Sequence, residues 1–168
     1  MVDVAIQTSS GTIVVALDTA KAPATTRNFL RYVDTHAYDG AAFYRTVRSR
    51  EGEPRSIEVI QGGLQGKRDA AKQPPIAVEK TETTGLHNTN ATIAMARTAD
   101  PNSTTSEFFI NIGDDTVLDS EKFNDRYGYA VFGRVVKGYD VVLRIQRAAA
   151  SGEALTPPIR INRVLRVR

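Results

Sequence analysis

Hydrophobic and polar residues alternate at the start of the chain, in two stretches separated by a short turn. Apolar side chains occupy every second position of residues 2–6 and again of residues 13–17, and Ser9, Ser10 and Gly11 lie between them. Neighbouring side chains of a β-strand point to opposite faces of a sheet, so this pattern predicts two half-buried strands. The turn residues join the two strands in a β-hairpin.

Two other stretches have the spacing of an amphipathic helix. In residues 24–34, Phe29, Leu30 and Val33 recur at intervals of three and four, which places them on one helical face. A second helix is predicted at residues 139–147, directly after a glycine. Further short strands are predicted at residues 43–47, 57–61, 92–97, 107–112 and 129–136 and near the C-terminal end, with polar loops at residues 48–55, 64–84 and 113–127.

This order of elements gives about eight short strands and two helices, without regular alternation between them. It argues against a doubly wound parallel sheet and favours an antiparallel barrel or sandwich with helices attached. A closed barrel leaves no exposed sheet edge, and two helices are enough to cover its two open ends. We expect one domain that spans residues 1–168, because no internal repeat or second domain is visible.

The arginines near the C-terminal end have a structural explanation. Apolar and polar residues alternate there, with Ile159, Ile161, Leu165 and Val167 in one set and Arg160, Asn162, Arg166 and Arg168 in the other. This alternation predicts a half-buried last strand with a solvated face. The basic residues are otherwise scattered and the net charge is only +3, so nucleic acid is not an expected partner.

Composition excludes several kinds of chemistry. The chain has no cysteine, which excludes disulfides, thiolate metal sites and cysteine nucleophiles, and its two histidines are far apart in sequence. We therefore expect no metal and no cofactor. No apolar run is long enough to span a membrane, and the first residues lack the pattern of a signal peptide. We expect a cytoplasmic monomer, or a periplasmic one if the chain is a processed form.

Residues 92–112 contain the most informative stretch. A strand is followed by a long polar loop and then by Phe108 and Phe109, which begin the next strand. Because consecutive strand residues face opposite sides, one ring belongs to the core and the other needs a second layer or a ligand.

Four polar residues lie on or beside predicted strands, where a rigid scaffold can orient them: Arg45, Gln61, Arg97 and Glu107. They do not form a Ser/His/Asp set, a carboxylate pair or a phosphate-binding loop. What remains is a binding surface, or an enzyme that needs neither a nucleophile nor a metal.

Several separate motifs resemble those of the cyclophilins, a family of peptidyl-prolyl cis–trans isomerases, and most of all the bacterial type. They are FYR at 43–45, IQGG at 60–63, AMARTAD at 94–100, SEFFIN at 106–111 and YAVFGRVVKGYDVV at 129–142. The resemblance covers nearly the whole chain, and it implies a closed eight-stranded antiparallel β-barrel capped by two α-helices. It also implies that proline-containing peptides and folding proteins are the partners.

The resemblance assigns roles to particular residues. Arg45 is implied to donate to the prolyl nitrogen as the amide twists, and Gln61 to contact the substrate and place that arginine. Phe109 is implied to form the base of a proline pocket, and Phe108 to face the core. The remaining residues implied to bind or support the substrate are Phe43, Val59, Ala96, Arg97, Glu107, Leu118 and Tyr129.

Four positions depart from the family pattern. Glu58 and Val59 replace a Phe-Met pair, Glu107 replaces Gln, and Val117 replaces a Trp or Phe wall residue. These changes predict a shallower and more acidic pocket that binds proline less well. The carboxylate of Glu107 either pairs with Arg45 and holds it away from the substrate, or orients it as the amide does. The segment between Arg45 and Gln61 is also longer than usual.

Three functions follow in order of preference. The first is a prolyl isomerase that assists slow folding steps. The second is a cyclophilin-like module that binds proline peptides with weak or no catalysis, motivated by the altered pocket. The third, remote hypothesis is an oligonucleotide-binding barrel.

Overall fold

A computed structural model of the chain describes residues 1–65 and 73–168. In chain order the strands are β1 (Val2–Thr8), β2 (Gly11–Leu17), β3 (Ala42–Val47), β4 (Val59–Gly63), β5 (Thr92–Met95), β6 (Phe108–Asn111), β7 (Val131–Lys137), β8 (Ala150–Ser151) and β9 (Ala154–Arg166). The helices are α1 (Pro23–Asp34), the single turn α2 (Thr81–Thr84) and α3 (Tyr139–Gln146), and a 3₁₀ turn spans Thr116–Leu118.

Eight of the strands form a closed barrel. The hydrogen-bonded order is β1-β2-β7-β5-β6-β4-β3-β9, and β9 pairs again with β1 to close the ring. All of these pairings are antiparallel, and β8 forms a small hairpin with the beginning of β9. The apolar faces of α1 and α3 join the core inside the barrel. The predicted eight-stranded barrel with two capping helices is confirmed, and α2 is an additional short turn.

Six aromatic rings are buried in the interior of the barrel, among a larger number of aliphatic side chains. Phe108 is fully buried there, with its ring centroid 5.5 Å from Phe29, 5.6 Å from Tyr38 and 5.6 Å from Phe43. Phe109 lies on the other side of the barrel wall, in a separate small cluster that includes Leu118. The two neighbouring rings of β6 therefore face opposite sides, as strand alternation requires.

A β-bulge changes the predicted pattern of the last strand. Gln7 pairs with Arg163 and Thr8 pairs with Ile161, so Asn162 is an extra residue on β9. The extra residue shifts the alternation by one position. As a result Val164 is buried, whereas Leu165, which the simple alternation placed on the buried face, is only partly covered.

Other boundaries also differ from the sequence prediction. The last strand begins at Ala154, so residues expected to form a linker instead belong to the hairpin of β8 and β9. The predicted loops at 64–84 and 113–127 contain α2 and the 3₁₀ turn, and residues 66–72 of the first loop lie outside the described residues. No helix in residues 1–65 and 73–168 is both long and apolar enough to cross a membrane.

The two rings of β6 provide a test of this architecture. Phe108→Ala removes a ring enclosed by other rings, and we expect it to lower the free energy of unfolding by about 3–5 kcal/mol. Phe109→Ala should cost clearly less, because one face of that ring borders an open pocket. Urea unfolding of both variants measures the difference. Equal losses, or a larger loss for Phe109→Ala, would contradict the assignment of inner and outer faces.

Candidate active site

A second β-bulge, at Tyr44 in β3, determines where Arg45 points. Phe43 pairs with Gly62 of β4, and Arg45 pairs with Gln61, so Tyr44 is an extra residue with no partner of its own on β4. In a regular strand Phe43 and Arg45 would face the same side, since they are two residues apart. The bulge places Phe43 and Arg45 on opposite sides of the barrel wall. Phe43 stays inside the barrel while the guanidinium of Arg45 reaches the outer surface.

Two side chains hold the guanidinium of Arg45. Its Nη1 donates to Oε1 of Gln61 at 2.9 Å, and its Nε donates to Oε1 of Glu153, also at 2.9 Å. Glu153 lies in the turn between β8 and β9, where its carbonyl oxygen accepts a hydrogen bond from the N–H of Thr46 at 2.8 Å. The sequence analysis did not single out Glu153, because nothing in the sequence indicated that this hairpin would lie beside β3.

The amide of Gln61 is held in turn by Tyr44. Nε2 of Gln61 donates to the hydroxyl oxygen of Tyr44 at 3.0 Å, and that hydroxyl donates to Oε1 of Glu107 at 2.7 Å. Burial raises the pKa of Tyr44 well above its usual range, and the hydrogen bond to Glu107 raises it further. The tyrosine therefore keeps its proton at any physiological pH.

Beside Arg45 and Gln61 lies a pocket of about 290 Å³. Its lining residues, besides Arg45 and Gln61, are Ile57, Val59, Ala96, Arg97, Phe109, Leu118, Phe123 and Tyr129. The ring of Phe109 is nearly perpendicular to that of Tyr129, with 5.8 Å between the centroids. The pocket is small, and its lining combines seven apolar or aromatic residues with three polar ones, which suits a small ligand group with an apolar part. A larger groove of about 720 Å³ lies beside α1 and contains none of these residues.

The side chain of Arg97 supports the rim of this pocket. It is only 1% exposed, and its Nη2 lies 2.6 Å from Oδ2 of Asp125. Its Nε donates to the carbonyl oxygen of Gly128 at 2.9 Å, and the guanidinium lies 4.7 Å from the ring centroid of Tyr129. The polar loop at 113–127 is thereby attached to the end of β5. The implied role of Ala96 and Arg97 in substrate binding stays a prediction.

Most of the predicted site residues meet at this pocket, and two do not line it. Of the ten residues assigned to catalysis or substrate binding, Phe43 and Glu107 lie elsewhere. Phe43 is inside the barrel, beneath the site, in ring contact with Phe108. The lining residues that the sequence analysis missed are Ile57 and Phe123. Ile57 precedes Glu58, one of the positions that depart from the family pattern. Val117, which replaces a family wall residue, is 53% exposed. Phe123 supplies an aromatic wall to the pocket.

The expectation of an acidic pocket is wrong. Both carboxylates that suggested it are engaged with other groups and do not line the pocket. Oε1 of Glu58 accepts hydrogen bonds from the N–H of Ser49 and from Nε2 of Gln146, both at 3.3 Å. Glu107 does not pair with Arg45 and instead binds Tyr44. Of the two alternatives for Glu107, the geometry excludes the pair with Arg45, and an orienting role stays a prediction.

The buried carboxylate of Asp115 contacts the longer segment between Arg45 and Gln61. Oδ1 of Asp115 accepts a hydrogen bond from the N–H of Glu58 at 3.0 Å and lies 3.3 Å from Nη2 of Arg55. Oδ2 of Asp115 is buried and has no hydrogen-bond partner among the described residues. Burial raises the pKa of Asp115 to about 6, and the contacts with Glu58 and Arg55 oppose the rise only in part.

One further cluster brings together groups that can bind metals. Atoms of His87, Asp119 and Glu121 lie within 4.8 Å of one another, a proximity that their sequence spacing did not indicate. Nδ1 of His87 is 2.9 Å from Oδ2 of Asp119, and Oδ1 of Asp119 accepts two hydrogen bonds from Asn88, each 2.8 Å long. These hydrogen bonds satisfy the buried carboxylate without an ion.

Comparison with known proteins assigns the class. The family described as "Cyclophilin type peptidyl-prolyl cis-trans isomerase/CLD" matches residues 2–166. The peptidyl-prolyl cis-trans isomerase cyp18 of Streptomyces antibioticus is 43% identical over 143 residues, which cover 84% of this chain and 81% of the relative. Peptidyl-prolyl cis-trans isomerase B of Escherichia coli is 38% identical over 149 residues, or 87% of this chain and 85% of the relative.

The fold comparison agrees with the sequence comparison. A crystal structure of a Cryptosporidium parvum cyclophilin type peptidyl-prolyl cis-trans isomerase, determined in the presence of the dipeptide Ala-Pro, has a TM-score of 0.80. The match covers 99% of both chains at 19% sequence identity. The chain belongs to the cyclophilin family, and it is a peptidyl-prolyl cis–trans isomerase of that type.

The buried carboxylate of Asp115 leads to a prediction about stability. Its pKa in the folded protein, about 6, exceeds the value of about 3.9 for an unfolded aspartate. The folded state therefore binds the proton more tightly between these two values, and its stability falls as the pH rises through them. We expect Asp115→Asn to remove this decline, which amounts to roughly 2 kcal/mol between pH 4 and pH 7.

Asp114→Asn is the matched control, because hydrogen bonds from Thr116 lower the pKa of Asp114. Its contribution to stability has the opposite sign, present at neutral pH and lost on acidification. Chemical unfolding of the wild type and both variants across this pH range gives the comparison. If Asp115→Asn has the same pH profile as the wild type, Asp115 does not titrate as described.

Proposed function

We propose that this protein accelerates rotation about Xaa-Pro peptide bonds by placing the proline ring against Phe109 and the peptide nitrogen next to Arg45. The observation that carries the proposal is the guanidinium of Arg45, held by Gln61 at the edge of the apolar pocket formed by Phe109, Leu118 and Val59. The pocket supplies the binding surface for a pyrrolidine ring. The guanidinium supplies a charged donor on the side where the peptide bond would lie.

The reaction suits these groups because no bond is made or broken. Rotation about a peptide bond has a barrier of about 18–20 kcal/mol, which arises from the partial double bond between carbon and nitrogen. As the bond twists, the lone pair localises on the prolyl nitrogen and becomes a hydrogen-bond acceptor. A donor at that atom stabilises the transition state and not the planar ground state, so it raises the rate directly.

The magnitude required is within reach of such a site. An acceleration of about 10⁵-fold corresponds to a barrier lower by roughly 7 kcal/mol. Removal of one preorganised donor from an enzyme site costs about 10²–10³-fold, and positioning of the bound peptide supplies much of the remainder. The enzyme therefore needs no metal or nucleophile for this reaction.

We propose proline-containing segments of peptides and of folding proteins as the substrates. The small apolar pocket selects the proline itself, and the related Cryptosporidium enzyme was crystallised in the presence of Ala-Pro. Cis–trans isomerisation at proline takes tens to hundreds of seconds without catalysis, so its acceleration assists folding. The monomeric state and the cytoplasmic location stay predictions from the sequence.

The proposed reaction leads to a prediction about Arg45. We expect Arg45→Ala to lower kcat/KM for a short Ala-Xaa-Pro-Phe peptide by about 100-fold or more, because the charged donor is lost. Arg50→Ala, which removes an exposed arginine from the segment between Arg45 and Gln61, should leave the rate unchanged. Exchange between the cis and trans NMR signals of the peptide measures both. A protein that binds the peptide without accelerating exchange would be a binding module and not an isomerase.

A further prediction concerns Glu153, the only carboxylate of the described residues within ion-pair distance of Arg45. Both side chains are partly exposed, at 39% for Arg45 and 57% for Glu153. Exposed ion pairs of this kind contribute about 0.2–1 kcal/mol, too little to hold Arg45 away from a substrate. We expect Glu153→Gln to change kcat/KM by less than about fivefold. A tenfold change in either direction would show that the pair controls the arginine.

A further inference from the structure

We propose that Tyr44 and Glu107 are positioning residues that set the orientation of the Gln61 amide and, through it, of Arg45. The proposal rests on the proposed role of Arg45 in catalysis. Four side chains form one continuous chain of hydrogen bonds, in the order Glu107, Tyr44, Gln61 and Arg45. Neither Tyr44 nor Glu107 lines the pocket, so their effect on the reaction is exerted through Gln61.

Glu107 forms the fixed end of this chain. Its Oε1 accepts hydrogen bonds from the Tyr44 hydroxyl at 2.7 Å and from the N–H of Gln65 at 2.8 Å. Its Oε2 accepts from the N–H of Leu64 at 3.1 Å and from the Ser106 hydroxyl at 2.6 Å. Four donors converge on one carboxylate, two of them from the backbone. The side chain of Glu107 therefore has a fixed position and acts only as an acceptor.

The donor and acceptor of each remaining hydrogen bond in this chain follow from the acceptor role of Glu107. The Tyr44 hydroxyl has a single proton, and it donates that proton to Glu107. The lone pairs of the same oxygen can then only accept, so the group of Gln61 that faces Tyr44 must be the NH₂ group. The carbonyl oxygen of the amide is left to face Arg45, whose N–H groups need an acceptor. A rotated amide would place donors against the Arg45 guanidinium.

The bulge in β3 makes this arrangement possible. Tyr44 is the extra residue of the bulge, and the bulge is also what brings Arg45 to the outer face opposite Gln61. One local irregularity of the backbone thus supplies both the guanidinium and the hydroxyl that orients its partner. Both hydrogen bonds of Tyr44 are partly buried, which strengthens them relative to exposed ones.

The test compares Tyr44→Phe, Gln61→Ala and the variant that combines them. Tyr44→Phe removes one hydroxyl, so the Gln61 amide can rotate, and we expect kcat to fall about tenfold with KM within about twofold of the wild type. In the Gln61→Ala background the same change should have no further effect on kcat, since there is no amide left to orient. Tyr139→Phe is the matched control. Its hydroxyl donates to Asn90 at 2.7 Å, outside the pocket, and its loss should leave kcat unchanged.

A spectroscopic measurement separates positioning from simple destabilisation. The NMR signal of the Arg45 Nη1–H group, which donates to Gln61, should be sharp in the wild type and in Tyr139→Phe, and broadened in Tyr44→Phe. The proposal would be overturned if Tyr44→Phe lowered kcat equally in the wild type and in the Gln61→Ala background. It would also be overturned if Tyr44→Phe left kcat unchanged. If Arg45→Ala is inactive while Tyr44→Phe is fully active, only the positioning role fails. If Arg45→Ala keeps full activity, the proposed function of Arg45 fails first.

Discussion

The β-bulge at Tyr44 is the constraint on which the site depends. Regular alternation along β3 would bury Arg45 inside the barrel with Phe43, where an unpaired charge carries a large desolvation cost. One extra residue turns the guanidinium outward and leaves the ring in the core. Bulges often occur beside active sites because they re-aim a side chain without disturbing the rest of the sheet. The same residue then supplies the hydroxyl that orients Gln61, so the position and the orientation of Arg45 have a common origin.

The closed barrel gives the residues around this bulge a rigid frame. Since β6 is held on both sides by β4 and β5, its alternation is fixed, and Phe108 and Phe109 cannot exchange faces. The inner ring packs among other rings, and the outer ring provides an apolar surface next to the arginine. Elsewhere around the pocket, the buried side chain of Arg97 contacts the ring of Tyr129 and pairs with Asp125 of the 113–127 loop. The reaction asks only for a shaped apolar surface and an oriented donor, and a rigid barrel wall provides both.

The sequence was sufficient to predict the fold and most of the residues at the pocket, because hydrophobic periodicity and several family motifs carry that information. It correctly separated Phe108 from Phe109, since strand alternation is a local property. It failed where a backbone irregularity or a distant segment decides the outcome. Residues 161–165 follow a bulge and not simple alternation, and Glu153 reaches Arg45 only through the β8–β9 hairpin. Glu58 and Glu107 suggested an acidic pocket, but their partners lie in other segments of the chain and draw both carboxylates away from it.

The proposed reaction requires a proline bound against Phe109 to present its peptide nitrogen to an arginine fixed by Gln61. A crystal structure of the protein with a short Ala-Pro-containing peptide tests it most directly. We expect the pyrrolidine ring in contact with Phe109 and Leu118, a guanidinium nitrogen of Arg45 about 3 Å from the prolyl nitrogen, and the hydrogen bond between Arg45 and Gln61 intact. A peptide bound outside this pocket, or an Arg45 side chain turned away from the prolyl nitrogen, would contradict it.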